Sequence, residues 1–523
     1  MLQPAKKAFW ILLIMAAAKE AGAFSLTGPL ETWQTQALGY GLNTTVISDN
    51  GGTETTGPKN LGEEYRWNTP MLVYGFDPSF LSYFGQKGVE AVDAAVKILN
   101  DLPAASQMSA DLREFPLDTR RYNYQAAALR IRDMKTWTLS ILLEAIGLSV
   151  PERYAFTLRG RTLVGPIPVY VTLKRNFDPV TFEPSNYING TLYTYTIVQT
   201  RVAPVDPFDA WEPIPILVDP YQAAPSTVAA YVGMFGGASD PRGTAILFNP
   251  GIFYTGLSRD DAGGIRYLLS RSNLNVENVP TNAIVAFSSG GLADPGIGSR
   301  STSVPWAIVG GVATQPTGGG ATGVGGAAGG GVPGAGVGVG GGGVAGTNTL
   351  VDLALRPGVD KLSFVKANFD SFLGQFFTNN VVYADSYATN GALRSQLVQR
   401  TVTQPDILFS AADLGLDPAG TPFLFNRTLT FQNNEAQNSA PGGTALGGPG
   451  VVNSPVEITF SKIGPWFLNI GGGGETLASR GLVWGSYDSS TNAPIVFPSG
   501  TSIRELERLV LTQSGGTSPW QVP

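Results

Sequence analysis

The sequence predicts an α+β N-terminal domain followed by a mainly-β C-terminal domain. Apolar residues recur at helical spacing in two stretches before residue 150, whereas an alternation with a period of two begins near residue 154 and returns after residue 347. Between these blocks, 17 of the 29 residues from 318 to 346 are glycine, a composition that cannot build a core. We therefore expect a strand, two long helices, a β-rich part and a closing helix, and then a second, β-rich domain.

The first 23 residues predict a secretory signal peptide. Two lysines precede an apolar stretch of 11 residues, 8–18, and Ala21 and Ala23 are small residues at the positions that signal peptidase reads. Cleavage is therefore expected just before Phe24. The apolar stretch is too short to cross about 30 Å of hydrocarbon. We expect a secreted protein, extracellular or on a cell surface, with no transmembrane span in the mature chain.

The first part of the mature chain divides into an arm and an α+β domain. Residues 24–66 are predicted to form an extended arm, because turn-forming residues are frequent there and periodicity is weak. The α+β domain is expected to span 67–315. Its first strand is predicted at 67–76, and its first long helix at 86–101, where apolar residues lie three or four positions apart.

A second long helix is predicted over 118–147. Asp118 is a suitable N-cap and Gly147 a suitable C′ residue, and an apolar stripe runs between them. The period then changes to two. Strands are expected at 169–173 and 192–198, each bounded by turns that contain proline or glycine.

A closing helix is predicted from Ser258 to residue 269. The hydroxyl of Ser258 can accept a hydrogen bond from the free backbone N–H of Asp261. Asp260 and Asp261 lie in the first turn, where the helix dipole favours negative charge. This combination makes 258–269 the most specific helical signal in the chain.

The remainder is predicted to be a linker followed by the second domain. Residues 316–346 are expected to be a flexible linker or a surface loop, because of their glycine content. The β-rich domain is expected to span 347–523. Its apolar runs predict strands at 376–383, 402–409, 456–460 and 482–487, and a last amphipathic piece at 503–511.

The chain contains no histidine and no cysteine, which removes most catalytic chemistry near neutral pH. A Ser-His-Asp or Cys-His nucleophile, a histidine metal site and an imidazole acid or base are all excluded. We therefore expect no enzyme activity, and no catalytic, cofactor-binding or metal-binding residue is assigned. Glycoside hydrolysis needs only two carboxylates, so a carboxylate-only hydrolase stays open as a second alternative.

Charge and composition indicate the kind of partner. The formal net charge is −6, which argues against nucleic acid and against anionic lipid headgroups. Charged residues make up 14%, compared with about 25% in ordinary soluble proteins. Such chains are typically β-rich and pack against something else over much of their surface. We expect the partners to be copies of this chain or components of a cell envelope.

Two further kinds of binding site remain open at this stage. Calcium ligands are possible near Asp49, Asp178 or the Asp260–Asp261 pair, although no Asp-x-Asp-x-Asp loop is present. Aromatic side chains that could stack on sugars are Trp211, Trp466, Trp484 and Trp520; packing in a core or an interface is the commoner role of such residues.

The helix at 258–269 resembles the closing helix of matrixin-type zinc proteases, which typically reads Leu-Ser-x-Asp-Asp-Ile. Here the sequence is Leu257-Ser258-Arg259-Asp260-Asp261-Ala262, and residues 69–99 are similar to the opening strand and first long helix of that fold. Matrixins bind zinc through three histidines and use a glutamate as the base. This chain has no histidine, and 225–250, where the zinc helix is expected, contains prolines and glycines. The resemblance therefore implies a degenerate scaffold without its metal site.

These observations favour a secreted, non-catalytic structural protein that assembles with itself, on a bacterial surface or in an extracellular filament. An extended arm and unpaired sheet edges would allow assembly by strand addition. The main alternative is an extracellular module that binds glycans or peptides on an inactive protease-like scaffold.

Overall fold

A computed structural model describes most of the predicted elements. The described residues are 22–35, 38, 56–129, 131–194, 197–200, 209–211, 226–230, 251–286, 350–370, 372–414, 424–433, 449–462, 483–498, 500–504 and 506–508. Apart from residue 286, all of them belong to one compact unit composed of 1–285 and 350–523. The predicted linker, 316–346, lies outside the described residues.

Five α-helices occur in the described ranges. They are α1 Pro78–Asn100, α2 Tyr124–Ala128, α3 Met134–Ile146, α4 Pro151–Tyr154 and α5 Arg259–Leu269. Short 3-10 turns lie at Ala105–Gln107 and Thr227–Ala229. No helix in this part of the chain combines the length and the apolar character that crossing a membrane requires.

Strands are more numerous than helices. The first fourteen are β1 Phe24–Pro29, β2 Thr56–Lys59, β3 Tyr65–Arg66, β4 Met71–Phe76, β5 Arg120–Tyr122, β6 Ile131–Asp133, β7 Leu148–Ser149, β8 Thr157–Val164, β9 Ile167–Leu173, β10 Asn176–Phe177, β11 Tyr187–Ile188, β12 Thr191–Leu192, β13 Val198–Thr200 and β14 Asp209–Trp211. The others are β15 Ile252–Tyr254, β16 Leu274–Glu277, β17 Ala283–Val285, β18 Ala354–Pro357, β19 Ser363–Lys366, β20 Phe369–Asp370, β21 Gln375–Phe376, β22 Asn379–Thr389, β23 Ala392–Val402, β24 Ile407–Ala412, β25 Phe425–Asn433, β26 Gly450–Ser461, β27 Val483–Ser486 and β28 Ile495–Val496. The expected mixture of helices with a majority of strands is thus confirmed.

A six-stranded sheet forms the centre of the unit. Its order is β19-β4-β24-β26-β25, and β3 also pairs with β26. The β19–β4, β4–β24 and β24–β26 pairs are parallel, whereas β25 runs antiparallel to β26. Parallel strands are typically covered on their faces, and most of β4 is buried. Helix α1 packs against β24 and β19 as well as against α3.

Aromatic side chains fill the space between α1 and the sheet. Phe80 lies 4.9 Å from Phe76 and 6.3 Å from Phe409, measured between ring centroids. Phe84 contacts Phe460 at 6.1 Å, and Phe460 in turn lies 5.2 Å from Trp484. These rings come from both ends of the chain, so the core depends on segments that are distant in sequence.

The predicted division into two domains is not confirmed. Strand β4 belongs to the predicted α+β domain, yet its two neighbours, β19 and β24, belong to the predicted β-rich domain. A second sheet mixes the segments in the same way, with the order β16-β18-β22-β23-β17. Pairing between strands that are far apart in sequence leaves no local pattern. The sequence therefore did not indicate that the two predicted domains share sheets.

The predicted arm, 24–66, is partly core. All six residues of β1 are buried, and β1 pairs antiparallel with β2, β7 and β10 of the same chain. Phe24 and Leu26 belong to the main apolar core. Both faces of this strand are covered, so the alternation of apolar and polar side chains that predicts a half-buried strand is weak. Residues 39–55 lie outside the described ranges.

The second long helix is shorter than the predicted 118–147. Strand β5, helix α2 and strand β6 occupy its first half, and only α3 is a helix of more than one or two turns. Two N-caps account for the interruptions: the side chain of Asn123 accepts from Ala126 N at 2.8 Å, and that of Asp133 accepts from Thr136 N at 2.9 Å. Gly147 ends α3, as predicted, with φ at 124°.

The first long helix begins earlier than residue 86. Pro78 occupies its first turn, and the side chain of Asp77 accepts a hydrogen bond from Phe80 N at 2.9 Å. Gly85, at φ 60° and ψ −163°, interrupts the helix just before residue 86, and the turns that precede it were not predicted from the apolar pattern. The strands expected at 169–173 and 456–460 are present and extend further than predicted.

Candidate functional site

The residues predicted around the signal cleavage point are partly described. Ala21 lies outside the described ranges, whereas Ala23 and Phe24 are both buried. The backbone N–H of Ala23 donates to Oδ2 of Asp260 at 2.7 Å. Phe24 packs at 5.7 Å from the ring of Tyr267 on α5. The start of β1 is therefore attached directly to the closing helix.

Helix α5 begins with the predicted capping box. The backbone N–H of Asp261 donates to Ser258 Oγ at 3.4 Å, and Ser258 N donates to Asp261 Oδ2 at 3.1 Å. The carboxylate of Asp261 also accepts from Thr227 N at 2.7 Å and from Val228 N at 3.1 Å. One side chain thus closes the helix end and fixes a turn that lies 33 residues away in sequence.

Asp260 connects the same helix to two other segments. Its Oδ2 atom accepts from Ala23 N and, at 2.6 Å, from Asn189 N. Its other oxygen is buried without a hydrogen-bond partner. A side chain at position 22 would collide with this oxygen, since an added Cβ on Gly22 would lie 2.1 Å from it. Only glycine therefore fits position 22 in this arrangement.

Glu152 is the third acidic residue of this region. Its Oε1 atom accepts from Ser226 N at 3.0 Å and from the Ser226 hydroxyl. We refer to Glu152, Asp260 and Asp261 as the buried carboxylate cluster; all three are less than 4% exposed. The cluster joins α4, the turn at Thr227–Ala229, α5 and the start of β1.

Burial dominates the electrostatics of the cluster. It raises the pKa of Glu152 to about 7, and the negative charge of Asp261 adds to the effect. Burial also raises the pKa of Asp260 and of Asp261. Hydrogen bonds from backbone N–H groups act in the opposite direction on all three. All three carboxylates are enclosed, and at least one oxygen of each accepts hydrogen bonds from backbone N–H groups, so the cluster connects separate segments of the fold.

In the described ranges, no three His, Cys, Asp or Glu side chains are grouped to hold a metal ion. Of the residues predicted as possible calcium ligands, Asp49 lies outside these ranges. The carboxylates of Asp260 and Asp261 accept hydrogen bonds from backbone N–H groups, as described above. Asp178 accepts from Val180 N at 2.9 Å and Thr181 N at 2.8 Å, which closes a turn.

Helix α3 carries two polar groups inside the core. The hydroxyl of Ser140 donates to the backbone carbonyl of Val228. Oε2 of Glu144 lies 3.1 Å from Nη1 of Arg427 on β25, and both side chains are buried. Of residues 225–250, only 226–230 are described, and they form the 3-10 turn that Ser140 contacts.

The hairpin β8–β9 presents an uncharged surface to solvent. Residues opposite each other in an antiparallel pair share a face, and the register pairs Val164 with Ile167, Thr162 with Val169 and Gly160 with Val171. We call these six residues the hairpin face. Its four apolar side chains are between 44% and 64% exposed. In the described part of the chain, β8 and β9 pair only with each other.

Of the aromatic residues predicted as sugar contacts, Trp484 is the one whose surroundings the structure describes, and it is buried. Trp484 is a core residue whose indole N–H donates to the Ser461 carbonyl at 3.0 Å. Trp211 lies in β14, and Trp466 and Trp520 lie outside the described ranges. The exposed aromatic pair is instead Tyr122 and Tyr124, which sequence reasoning missed because residues 118–147 were taken as one helix.

Comparison with known proteins finds no matching family model, no similar curated protein and no similar solved structure.

Proposed function

We propose that the protein is a secreted, non-catalytic structural protein that associates with copies of itself at a cell surface or in an extracellular filament. The observation that carries this proposal is the hairpin face. Its valine, isoleucine and threonine side chains are exposed together, and no charged residue lies among them. A contiguous apolar surface of this kind typically marks an interaction site.

A second copy of the chain is the occupant that fits the hairpin face best. Two uncharged faces can meet without desolvating any charge, whereas a charged partner would gain nothing from this surface. A two-stranded hairpin is also marginally stable in water by itself, so a partner that extends or covers it contributes to its order. The net charge of −6 adds a weak repulsion between copies, which an uncharged contact surface does not increase.

The hairpin also indicates which strand edge is open to pairing. Gly165 and Pro166 form a two-residue turn, so the residues that flank it, Val164 and Ile167, exchange backbone hydrogen bonds with each other. In the next pair, Leu163 and Pro168, the backbone N–H and C=O positions point away from the partner strand, toward the outer edges of the hairpin. Pro168 has no N–H, which leaves the outer edge of β9 without a donor at that position. The outer edge of β8 has no proline, and strand addition there would join two copies into a four-stranded sheet.

The test compares two valine substitutions of equal exposure. Val171 on the hairpin face and Val382 on β22 are each 51% exposed in a strand. We expect the wild-type protein to assemble with rising concentration, Val171→Asp to remain monomeric with an unchanged far-UV circular dichroism spectrum, and Val382→Asp to assemble like the wild type. Light scattering and negative-stain microscopy measure the outcome. Normal assembly of Val171→Asp, or a wild type that stays monomeric, would refute the proposal.

A second candidate is a peptide- or glycan-binding module on an inactive protease-like scaffold. The metzincin zinc pattern is His-Glu-x-x-His-x-x-Gly-x-x-His. Counting back and forward from Gly147 at the end of α3 places Ser140, Glu144 and Val150 at the three histidine positions. Ser140 and Glu144 already have protein partners, and Val150 is buried.

Ligand binding by the Val171→Asp variant distinguishes the structural protein from the binding module. A scaffold that binds peptides or glycans would retain this binding as a monomer, whereas a structural protein would lose its function with assembly. The carboxylate-only hydrolase gains no support from the buried carboxylate cluster, because those three side chains are enclosed.

A further inference from the structure

Tyr122 and Tyr124 form an exposed aromatic corner on the side of the unit where β5 meets α2. Tyr122 is 40% exposed and Tyr124 is 71% exposed. Their ring centroids lie 5.1 Å apart and the ring planes are inclined by 74°. The edge of one ring therefore rests on the other, while aromatic faces remain open to solvent.

The residue between the two tyrosines fixes this corner. Asn123 is fully buried, and its Nδ2 atom donates to the carbonyls of Ser489 at 2.7 Å and Asn492 at 2.9 Å. Its Oδ1 atom caps α2, and its backbone N–H donates to the Gly251 carbonyl at 2.7 Å. The amide nitrogen, the amide oxygen and the backbone N–H of Asn123 all form hydrogen bonds, and these fix the backbone that carries the two tyrosines.

The same hydrogen bonds attach a polar loop to the residue between the two tyrosines. Asn123 contacts the loop at 489 and 492, and the loop exposes the side chains of Asp488, Thr491 and Asn492. The loop is itself ordered, since Asn492 N donates to Ser489 Oγ at 2.9 Å. A loop with exposed hydroxyl, amide and carboxylate groups is thus attached to the residue that separates the two exposed tyrosines.

We propose that Tyr122, Tyr124 and the loop 488–492 form a carbohydrate-binding site for a neutral saccharide. A sugar ring offers a C–H face that packs on an aromatic ring and hydroxyls that both donate and accept hydrogen bonds. Tyr124 supplies the ring face, and Asp488, Thr491 and Asn492 supply acceptors and donors for the hydroxyls. The site does not depend on the proposed self-association, because it lies on other elements than the hairpin face.

Other ligand classes match this corner less well. A nucleic acid or another polyanion would meet the Asp488 carboxylate and a chain of net charge −6. An organic cation is attracted to tyrosine faces, but a cage needs rings that surround it. These two rings touch each other edge to face, so a cation between them has no room. The neutral saccharide is the class that uses both the aromatic faces and the loop.

The experiment is affinity electrophoresis of the full-length protein in native gels that contain a soluble β-1,3-glucan, a soluble β-1,4-glucan or a xylan. We expect at least one polysaccharide to retard the wild type, and Tyr124→Ala to weaken that binding about tenfold or more. Tyr122→Ala should weaken it as well. Tyr187→Ala is the matched control, since Tyr187 is also 40% exposed but lies on β11.

Three results would overturn the assignment. The first is a wild type that none of the three polysaccharides retards, and the second is equal retardation of Tyr124→Ala and Tyr187→Ala. The third is retardation that choline chloride abolishes while the matching free oligosaccharide does not, because the corner would then be a cation site. Circular dichroism spectra of the variants establish that any loss of binding is not a loss of fold, and Tyr124→Phe should retain most of the stacking.

Discussion

The buried side chains of Arg66 and Arg400 each have an acidic partner and further hydrogen bonds. Nε of Arg66 lies 2.8 Å from Oε1 of Glu277, and its Nη atoms donate to backbone carbonyls that include those of Leu268 and Arg356. Nη2 of Arg400 lies 2.6 Å from Oδ1 of Asp406. The buried carboxylate cluster differs, because its oxygens have no cationic partner in the described residues and accept hydrogen bonds mainly from backbone N–H groups. This difference makes the protonation of the cluster a determinant of stability.

We expect Glu152→Gln to change how stability depends on pH. Burial raises the pKa of Glu152 from 4.5 to about 7, so the folded protein keeps a proton that the unfolded chain releases between these pH values. The stability that this group contributes is complete below pH 4.5 and is lost as the pH rises to about 7. Glutamine cannot ionise, so the variant should gain up to about 3 kcal/mol relative to the wild type between pH 4.5 and pH 8.

Urea denaturation of both proteins at these two pH values measures the difference. Glu507→Gln is the control, because it makes the same chemical change at a residue that is exposed to solvent. A wild type and a Glu152→Gln variant with parallel profiles would show that Glu152 is ionised in the folded protein at neutral pH.

Asp261→Asn tests the role of the capping box. The carboxylate accepts from Ser258 N, Thr227 N and Val228 N, and an amide can keep only one of its two positions as an acceptor. One buried N–H group would then face the amide nitrogen, at a cost of about 2 kcal/mol. We expect the melting temperature to fall and the substitution Ser258→Ala to cost less, about 1 kcal/mol, through the cap alone. Equal losses for both variants would contradict the role assigned to the turn at Thr227–Ala229.

Among the elements, those with local signals were predicted and those defined by distant partners were not. Ser258 and Asp261 lie three residues apart, so the start of α5 could be predicted from sequence. Asn123 and Asp133 are good N-caps as well, but the apolar stripe across 118–147 outweighed them. The contacts of Asp260 with residues 23 and 189 have no sequence signal at all, since they arise only when β1 and the loop after β11 come together.

Strand β1 provides a test of what the N-terminal segment does. Leu26 is fully buried in the main core, so Leu26→Ala should lower the free energy of unfolding by about 3 kcal/mol. The control is Val164→Ala on the exposed hairpin face, which should change stability by less than about 0.5 kcal/mol. Chemical denaturation of monomeric protein measures both. Should Leu26→Ala leave monomer stability unchanged and reduce assembly, the segment would act as the extended arm that the sequence suggested.

At the scale of the whole molecule, the described chain is built from two segments that complete each other. Strand β4 lies between β19 and β24, and the Arg66 guanidinium donates to the carbonyl of Arg356 at 3.0 Å. The glycine-rich stretch 318–346 suggested a domain boundary, because its composition cannot build a core. Composition describes only the segment itself and does not show whether the segments on either side pair with each other. Which strands share a sheet is decided instead by burial of apolar faces, and hydrophobicity is too unspecific to identify partners about 290 residues apart.

We therefore expect neither 22–286 nor 350–523 to fold when produced alone. Without the second segment, both edges of β4 lose their partners and Phe76 and Phe80 lose Phe409 and its neighbours. Without the first segment, the sheet lacks β4 and the helix that covers it. Backbone groups at such edges cannot remain buried without hydrogen bonds, so the isolated segments should be insoluble or unfolded.

The intact protein should then unfold in one cooperative transition. Trp137 on α3 and Trp484 on β27 contribute one ring from each segment and lie 5.1 Å apart, so tryptophan fluorescence reports on the contact between the segments. Far-UV circular dichroism reports on all described strands and helices together. Because every element depends on the shared sheet, the two signals should change at the same urea concentration. Two separated transitions, or a folded 350–523 segment with dispersed amide resonances, would show that the predicted boundary at 316–346 is a real one.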